Sequence, residues 1–179
     1  MAKTKNMQID SFKNAMRDGG ARANLFEVRG NFPTVSVSDM QFLINAASLP
    51  ADNVGTIPVP YRGRELKLAG DRTFDPWTIT VYNTNDFAIR DAFEQWSEIV
   101  NGHFNNKSAL DVEDYMFDWE VDQLKRDGTV AATYKILSCY PESVGEITVG
   151  HSQGNTLEEF QVTLQYQYWT RSGITNLSS

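Results

Sequence analysis

A chain of 179 residues that is 41% hydrophobic and 12% aromatic can build one domain with a real core, which excludes wholesale disorder. A formal net charge of −7 argues against general binding to nucleic-acid phosphates, which rests on lysine and arginine, but not against a protein past which nucleic acid slides without sticking. No apolar run reaches the roughly 20 residues of a membrane helix, Met1–Lys5 lacks the apolar core of a secretory signal, and a lone cysteine, Cys139, suits reducing cytoplasm.

Residues 1–23 are polar, and Ser11–Met16 has room for one or two helical turns before Gly19-Gly20 stops them; the stretch reads as an N-terminal arm. Asn24–Arg29 is a short strand and Met40–Ala47 a second apolar run. Pro50, Gly55, Pro58, Pro60 and Gly63 then exclude a helix, and Pro within a strand confines it to an edge or bulge. Val54, Ile57, Val59 and Tyr61 are nonetheless apolar, and Arg62, Arg64 and Lys67 are basic. Segment 50–67 therefore reads as a projecting arm with apolar contacts to satisfy, against the plainer reading of a surface loop.

Gly70–Pro76 reads as a charged turn between two strands. Trp77, Ile79 and Val81 alternate with Thr78, Thr80 and Tyr82 at the period of a pleated strand. The period then changes: Ile89, Phe93, Trp96 and Val100 recur at helical spacing, which predicts a helix over 85–100. Asp91, Glu94 and Glu98 share one exposed stripe of it. Asn101-Gly102 ends the helix, and 102–114 is a polar surface loop. Tyr115, Phe117, Trp119 and Val121 alternate again, Asp127-Gly128 marks a hairpin turn, and Tyr134–Cys139 returns. Glu142–Gly145 is expected to turn into a further strand, Glu146–Val149.

Glu159–Trp169 reads as one strand of about 35 Å. Phe160, Val162, Leu164, Tyr166 and Tyr168 share a dry face; Gln161, Thr163, Gln165, Gln167 and Trp169 share a neutral polar one without cations. A solvated outer face and a wet lumen both fit that pattern. Hairpin-linked strands with one substantial helix predict antiparallel pairing in a barrel or sandwich.

The search for chemistry comes back empty. No phosphate-binding glycine loop occurs, and His103 and His151 both lie in loops, without the spacing of a zinc site. Cys139 reads as a small core residue, and the acids from Glu113 to Asp122 lack the spacing of a calcium loop. The expectation is no catalytic, metal or cofactor site.

Leu68-Ala69-Gly70-Asp71-Arg72-Thr73-Phe74-Asp75-Pro76-Trp77-Thr78-Ile79-Thr80-Val81 resembles the tail tube proteins of contractile-tailed, T-even-like bacteriophages. Asn24–Val28, Ser48–Ala51, Ile57–Val59, Tyr140–Ile147 and Phe160–Trp169 extend the likeness, in order, over about 22–170. The resemblance implies a mainly β fold, a barrel or two packed sheets with one flanking helix, over 24–170, with 171–179 as a C-terminal tail. It further implies a structural virion protein, assembled in host cytoplasm, whose six-membered rings stack into a tube that conducts DNA. The partners implied are other copies of the chain, a contractile sheath, baseplate and tail-terminator proteins. A tube that delivers protein effectors from an injection or secretion machine is the alternative, and a monomeric ligand-binding barrel or enzyme a remoter one. On this basis Val54, Ile57, Val59, Tyr61, Arg62, Arg64, Asp71 and Arg72 are expected at subunit or ring contacts. Gln161, Thr163, Gln165 and Gln167 are expected to face the lumen, and Asp91, Glu94 and Glu98 the sheath.

Overall fold

The computed structural model describes residues 9–16, 19–34 and 40–173. Residues 1–8 and 17–18 of the expected arm, and 174–179 of the expected tail, lie outside the described residues. The described part of the arm carries a short helix, α1 (Ile9–Ala15).

The body is an antiparallel sheet of seven strands whose path runs β1 (Phe26–Gly30), β6 (Phe117–Leu124), β7 (Val130–Val144), β8 (Glu159–Gln165), β5 (Trp77–Tyr82) and β2 (Ile44–Ala47). A seventh strand, β9 (Tyr168–Arg171), pairs with β7. β7 organises this arrangement because it serves two halves of the sheet. Its first part pairs with β6 and β9, and its last part, from Tyr140, pairs with β8. The change of partner falls at Ser138, whose φ of 57° is in the left-handed region. There the register against β6 slips: Phe117 faces Cys139 but Trp119 faces Ile136, so β7 carries a bulge opposite Asp118. The Asp118 carboxylate accepts a hydrogen bond from the Ser138 amide at 3.0 Å and lies 3.4 Å from the Lys135 ammonium. A side chain thus satisfies the amide that the bulge frees from the ladder.

Bent at β7, the sheet folds over itself and its inner residues meet. Trp119 of β6 packs edge-on to Trp77 of β5, and Val28, Ile79, Val81, Val121, Ile136, Val162 and Leu164 are fully buried around them. The remaining opening is filled by α3 (Ala88–Val100), which buries Ile89, Ala92, Phe93 and Trp96. Trp96 stacks on Trp119, and Phe93 meets both Trp119 and Phe160. Trp96 Nε1 donates to the Tyr115 carbonyl and Trp77 Nε1 to that of Ser48, both at 2.7 Å. The helix period read from the sequence therefore marks the face that enters the core. The helix begins at Ala88 rather than at 85, because Thr84–Phe87 form a turn and Phe87 is left-handed, with φ 55°. Hydrogen bonds from the Thr84 hydroxyl and the Ala88 amide hold the Asp86 carboxyl below its usual range.

Three sequence expectations are corrected, for Gly70–Pro76, Glu146–Val149 and Glu159–Trp169, and the apolar run Met40–Ala47 gains a structure. Gly70–Thr73 is not part of a turn: it belongs to a strand, β4 (Arg64–Thr73), and only Phe74–Pro76 link it to β5. Met40–Ala47 is split into one helical turn, α2 (Met40–Leu43), and β2. No strand forms over Glu146–Val149; β7 instead runs unbroken through 142–144, and the chain is irregular from Gly145 to Glu158. The expected strand over Glu159–Trp169 is two strands, β8 and β9, broken at Tyr166-Gln167 to follow the bend of β7. That break shifts the face alternation by one: Phe160, Val162, Leu164 and Tyr166 are dry as read, but Tyr168 is exposed and Trp169 packs against the core.

Candidate assembly surfaces

Among the described residues, one element stands apart from the body. β3 (Asn53–Tyr61) and β4 form a two-stranded sheet of their own. Arg62 and Gly63 make the two-residue turn between them, with φ of 46° and 80°. Positive φ at both positions matches the turn to the right-handed twist of the strands, and glycine takes its share without strain. Pro58 and Pro60 are accommodated because β3 has a partner on one side only.

Directly opposed residues share a face in an antiparallel pair. Ile57 opposes Leu68, Val59 opposes Leu66 and Tyr61 opposes Arg64. One face of the hairpin is therefore a stripe of Ile57, Val59, Tyr61, Leu66 and Leu68, each between 38% and 65% exposed. An isolated two-stranded hairpin is at best marginally stable in water, and clustered exposed side chains of this kind mark an interaction surface. Arg62 lies over the Tyr61 ring at 5.5 Å. Arg72 pairs with Asp52 at 3.1 Å, which braces the base of the hairpin, while Asp71 falls in a bulge opposite Gly55. Of the residues expected at subunit contacts, all eight lie in this hairpin or its turn, and Val54 is exposed near its base. Leu66 and Leu68 were missed as members of the stripe. Folding the sequence about Arg62-Gly63 and matching alternate residues would have found them.

A second surface is the outer side of α3. Asp91, Glu94 and Glu98 are exposed and line a groove with Glu142 and Ser143 of β7. Arg90 clasps the helix to the body: its Nε meets Glu94 at 2.6 Å, its Nη1 donates to the Gly145 carbonyl at 2.6 Å, and its guanidinium covers the Phe160 ring. Glu98 is engaged by His103.

The third is the outer face of β5 and β8. Thr80 opposes Gln161, and the hydroxyls of Thr78 and Thr163 lie 3.3 Å apart. Gln165 donates to Glu142 at 3.0 Å. Gln161, Thr163 and Gln165 share this neutral face, whereas Gln167 sits in the break beyond it, exposed. The outer face of β1, β6 and the first part of β7 contrasts with it. There Arg29, Glu120 and Lys135 stand side by side across three strands, and Arg29 also engages the buried Asp122 carboxylate.

The Cys139 thiol, buried beneath the bend, is pushed up to about 12 by burial and by the nearby Asp118 charge. A thiol held protonated so firmly is not a nucleophile.

The fold is thus an antiparallel β body with one helix packed into its core and a separate hairpin whose apolar stripe is exposed. The family model described as "Phage tail tube protein" matches residues 7–172, and the chain belongs to that family. It is 34% identical to the tail tube protein gp19 of Enterobacteria phage T4 over 165 residues, which span 91% of this chain and 99% of that one. Its function is accordingly that of a structural, non-enzymatic tail tube protein in a phage virion. Among solved structures, a chain of the anti-feeding prophage baseplate superposes with a TM-score of 0.64 at 12% identity, covering 85% of this chain and 95% of that one. A chain from the sheath–tube complex of an extracellular contractile injection system gives 0.58 at 15% identity, covering 87% and 93%. At those identities the likeness is one of fold.

Proposed function

We propose that six copies of the chain close into a ring, and that rings stack into the inner tube of a contractile tail, through which DNA leaves the capsid. The observation that carries this reading is the unsupported hairpin, whose apolar stripe finds cover on a neighbouring copy. In this reading Val54, Ile57, Val59, Tyr61, Arg62, Arg64, Asp71 and Arg72 mediate contacts between subunits or rings. The free edges of β1, β2 and β9 meet the edges of neighbours, so that the sheet closes into a wall between copies and these edges are no longer open to aggregation. The neutral face of Gln161, Thr163 and Gln165, with Gln167 beyond it, lines the lumen. A cation-free lining does not hold phosphates and lets DNA slide. Asp91, Glu94 and Glu98 face the sheath, and the ends of the tube meet baseplate and terminator proteins. Residues 1–23 and 171–179 are an arm and a tail on the 24–170 body.

The test is electron microscopy of the purified protein at increasing concentration, followed by averaging of any assemblies. Six-fold rings and tubes with the β8 glutamines toward the axis are expected. A protein that stays monomeric at all concentrations overturns the assembly reading, and glutamines on the outer wall overturn the lumen assignment.

A further inference from the structure

If neighbouring copies cover the hairpin, the same chain must also carry the surface that covers it. That surface needs exposed apolar side chains to meet the stripe. It also needs negative charge, because the hairpin carries four cations (Arg62, Arg64, Lys67 and Arg72) against two acids, Glu65 and Asp71. Few parts of the described chain meet both conditions.

The face of α1 exposes Ile9, Phe12 and Met16, but the cleft beside it is rimmed by Arg22, Lys125 and Arg126, the wrong sign for a basic hairpin. The groove along α3 is acidic, yet no large exposed apolar side chain lines it, and Glu94, Glu98 and Glu142 already engage Arg90, His103 and Gln165. The loop before β8 exposes Val149 and Leu157, but the acids next to Leu157, Glu158 and Glu159, accept hydrogen bonds from Asn83 and Asn45.

The segment between α3 and β6 is different. Phe104 and Leu110 are 102% and 98% exposed, and Val112 is 53% exposed. Asp111 lies between Leu110 and Val112, and Glu113 and Asp114 follow directly in a short 3-10 turn, Val112–Asp114. Among the described residues no cation lies within ion-pair distance of these three acids. Among the described residues these side chains form no ion pair or side-chain hydrogen bond, and they carry the complement of the hairpin in both polarity and charge.

We infer that the 104–114 segment of one copy is the docking surface for the β3–β4 hairpin of the next. Ile57, Val59, Leu66 and Leu68 cover Leu110 and Val112, while Arg62 and Arg64 at the tip meet Asp111, Glu113 and Asp114. Because the two surfaces are different patches of the same chain, the contact is head to tail, the kind that propagates around a ring or along a stack. Exclusion of water by the apolar pairs lowers the local dielectric and strengthens the ion pairs beside them. This rests on the assembly reading above and adds to it the identity of the receiving surface.

The experiment is a charge swap. Arg62→Glu with Arg64→Glu in one variant, and Asp111→Lys, Glu113→Lys and Asp114→Lys in another, should each abolish tubes while leaving the monomer's circular dichroism and melting temperature unchanged. The five substitutions together should restore tubes. In parallel, Leu66→Cys protein mixed with Val112→Cys protein should give a disulfide-linked dimer under mild oxidation, and neither should do so alone with wild type. Loss of tubes in the hairpin variant without restoration in the combined one, and no heterodimer in the cysteine mixture, overturns the assigned docking surface but leaves the assembly reading intact. Wild-type protein that never assembles, with no cross-link, overturns both.

Discussion

The body and the hairpin are built from the same residue types but solve the burial problem in opposite ways. In the body, the inner faces of the sheet and the helix cover one another: β6 meets β5 through Trp119 and Trp77, and α3 closes the remaining opening with Phe93 and Trp96. In the hairpin, Ile57, Val59, Leu66 and Leu68 are as apolar as any core residue yet stand open. One region is finished by folding; the other is left open, and in the proposed assembly a neighbouring copy covers it. Stability and assembly should therefore be separable by mutation, region by region.

The largest effect is expected where the body is tightest. Gly30 of β1 faces Trp119, and a Cβ there would lie 2.2 Å from the indole ring. No small adjustment admits an alanine, so Gly30→Ala should lower the unfolding free energy by about 2–3 kcal/mol, the cost of overpacking, measured by urea denaturation. An unchanged midpoint would mean the Trp119 layer is looser than its contacts indicate.

A smaller loss is expected at the bend. Asp118→Ala removes the acceptor for the Ser138 amide and the neighbour of Lys135, and should cost about 1–2 kcal/mol. Ser138→Gly relieves the left-handed backbone and should be neutral or slightly stabilising. If both variants melt alike, the carboxylate does not hold the bend.

The smallest effect on stability belongs to the hairpin. Ile57→Ser with Leu68→Ser should shift monomer stability by less than about 0.5 kcal/mol, because the side chains are exposed. The same pair should nevertheless prevent tubes from forming, as read by sedimentation. A large loss of monomer stability would show that the stripe is covered within the chain.

The sequence made much of the body legible because period and burial agree there. Trp77, Ile79 and Val81 at period two, and Ile89, Phe93 and Trp96 at helical spacing, lie in the core as their patterns require. What misled was continuity. Glu159–Trp169 alternates without interruption, and nothing in it marks the break at Tyr166-Gln167, because that break follows a bend in another strand, β7. The charges at Asp71 and Arg72 look like a turn because turns are polar, but a strand exposed on both faces is polar too. The candidate surfaces were legible as composition and not as geometry. The basic, apolar character of 50–67 was plain, while the stripe itself required the register that Arg62-Gly63 sets across the hairpin. Phe104 and Leu110 give no signal in the sequence, because isolated apolar residues in a polar loop form no pattern.

Pro58 and Pro60 have a consequence for the time before assembly. They share one parity along β3, alternate with Ile57 and Val59, and leave two positions of its unpaired side without an amide donor. A strand from a stray molecule that approaches this side finds an interrupted row rather than a template. In the proposed assembly, a free copy thus offers its apolar face to a neighbour while the β3 side of the hairpin gives cross-β growth no continuous template.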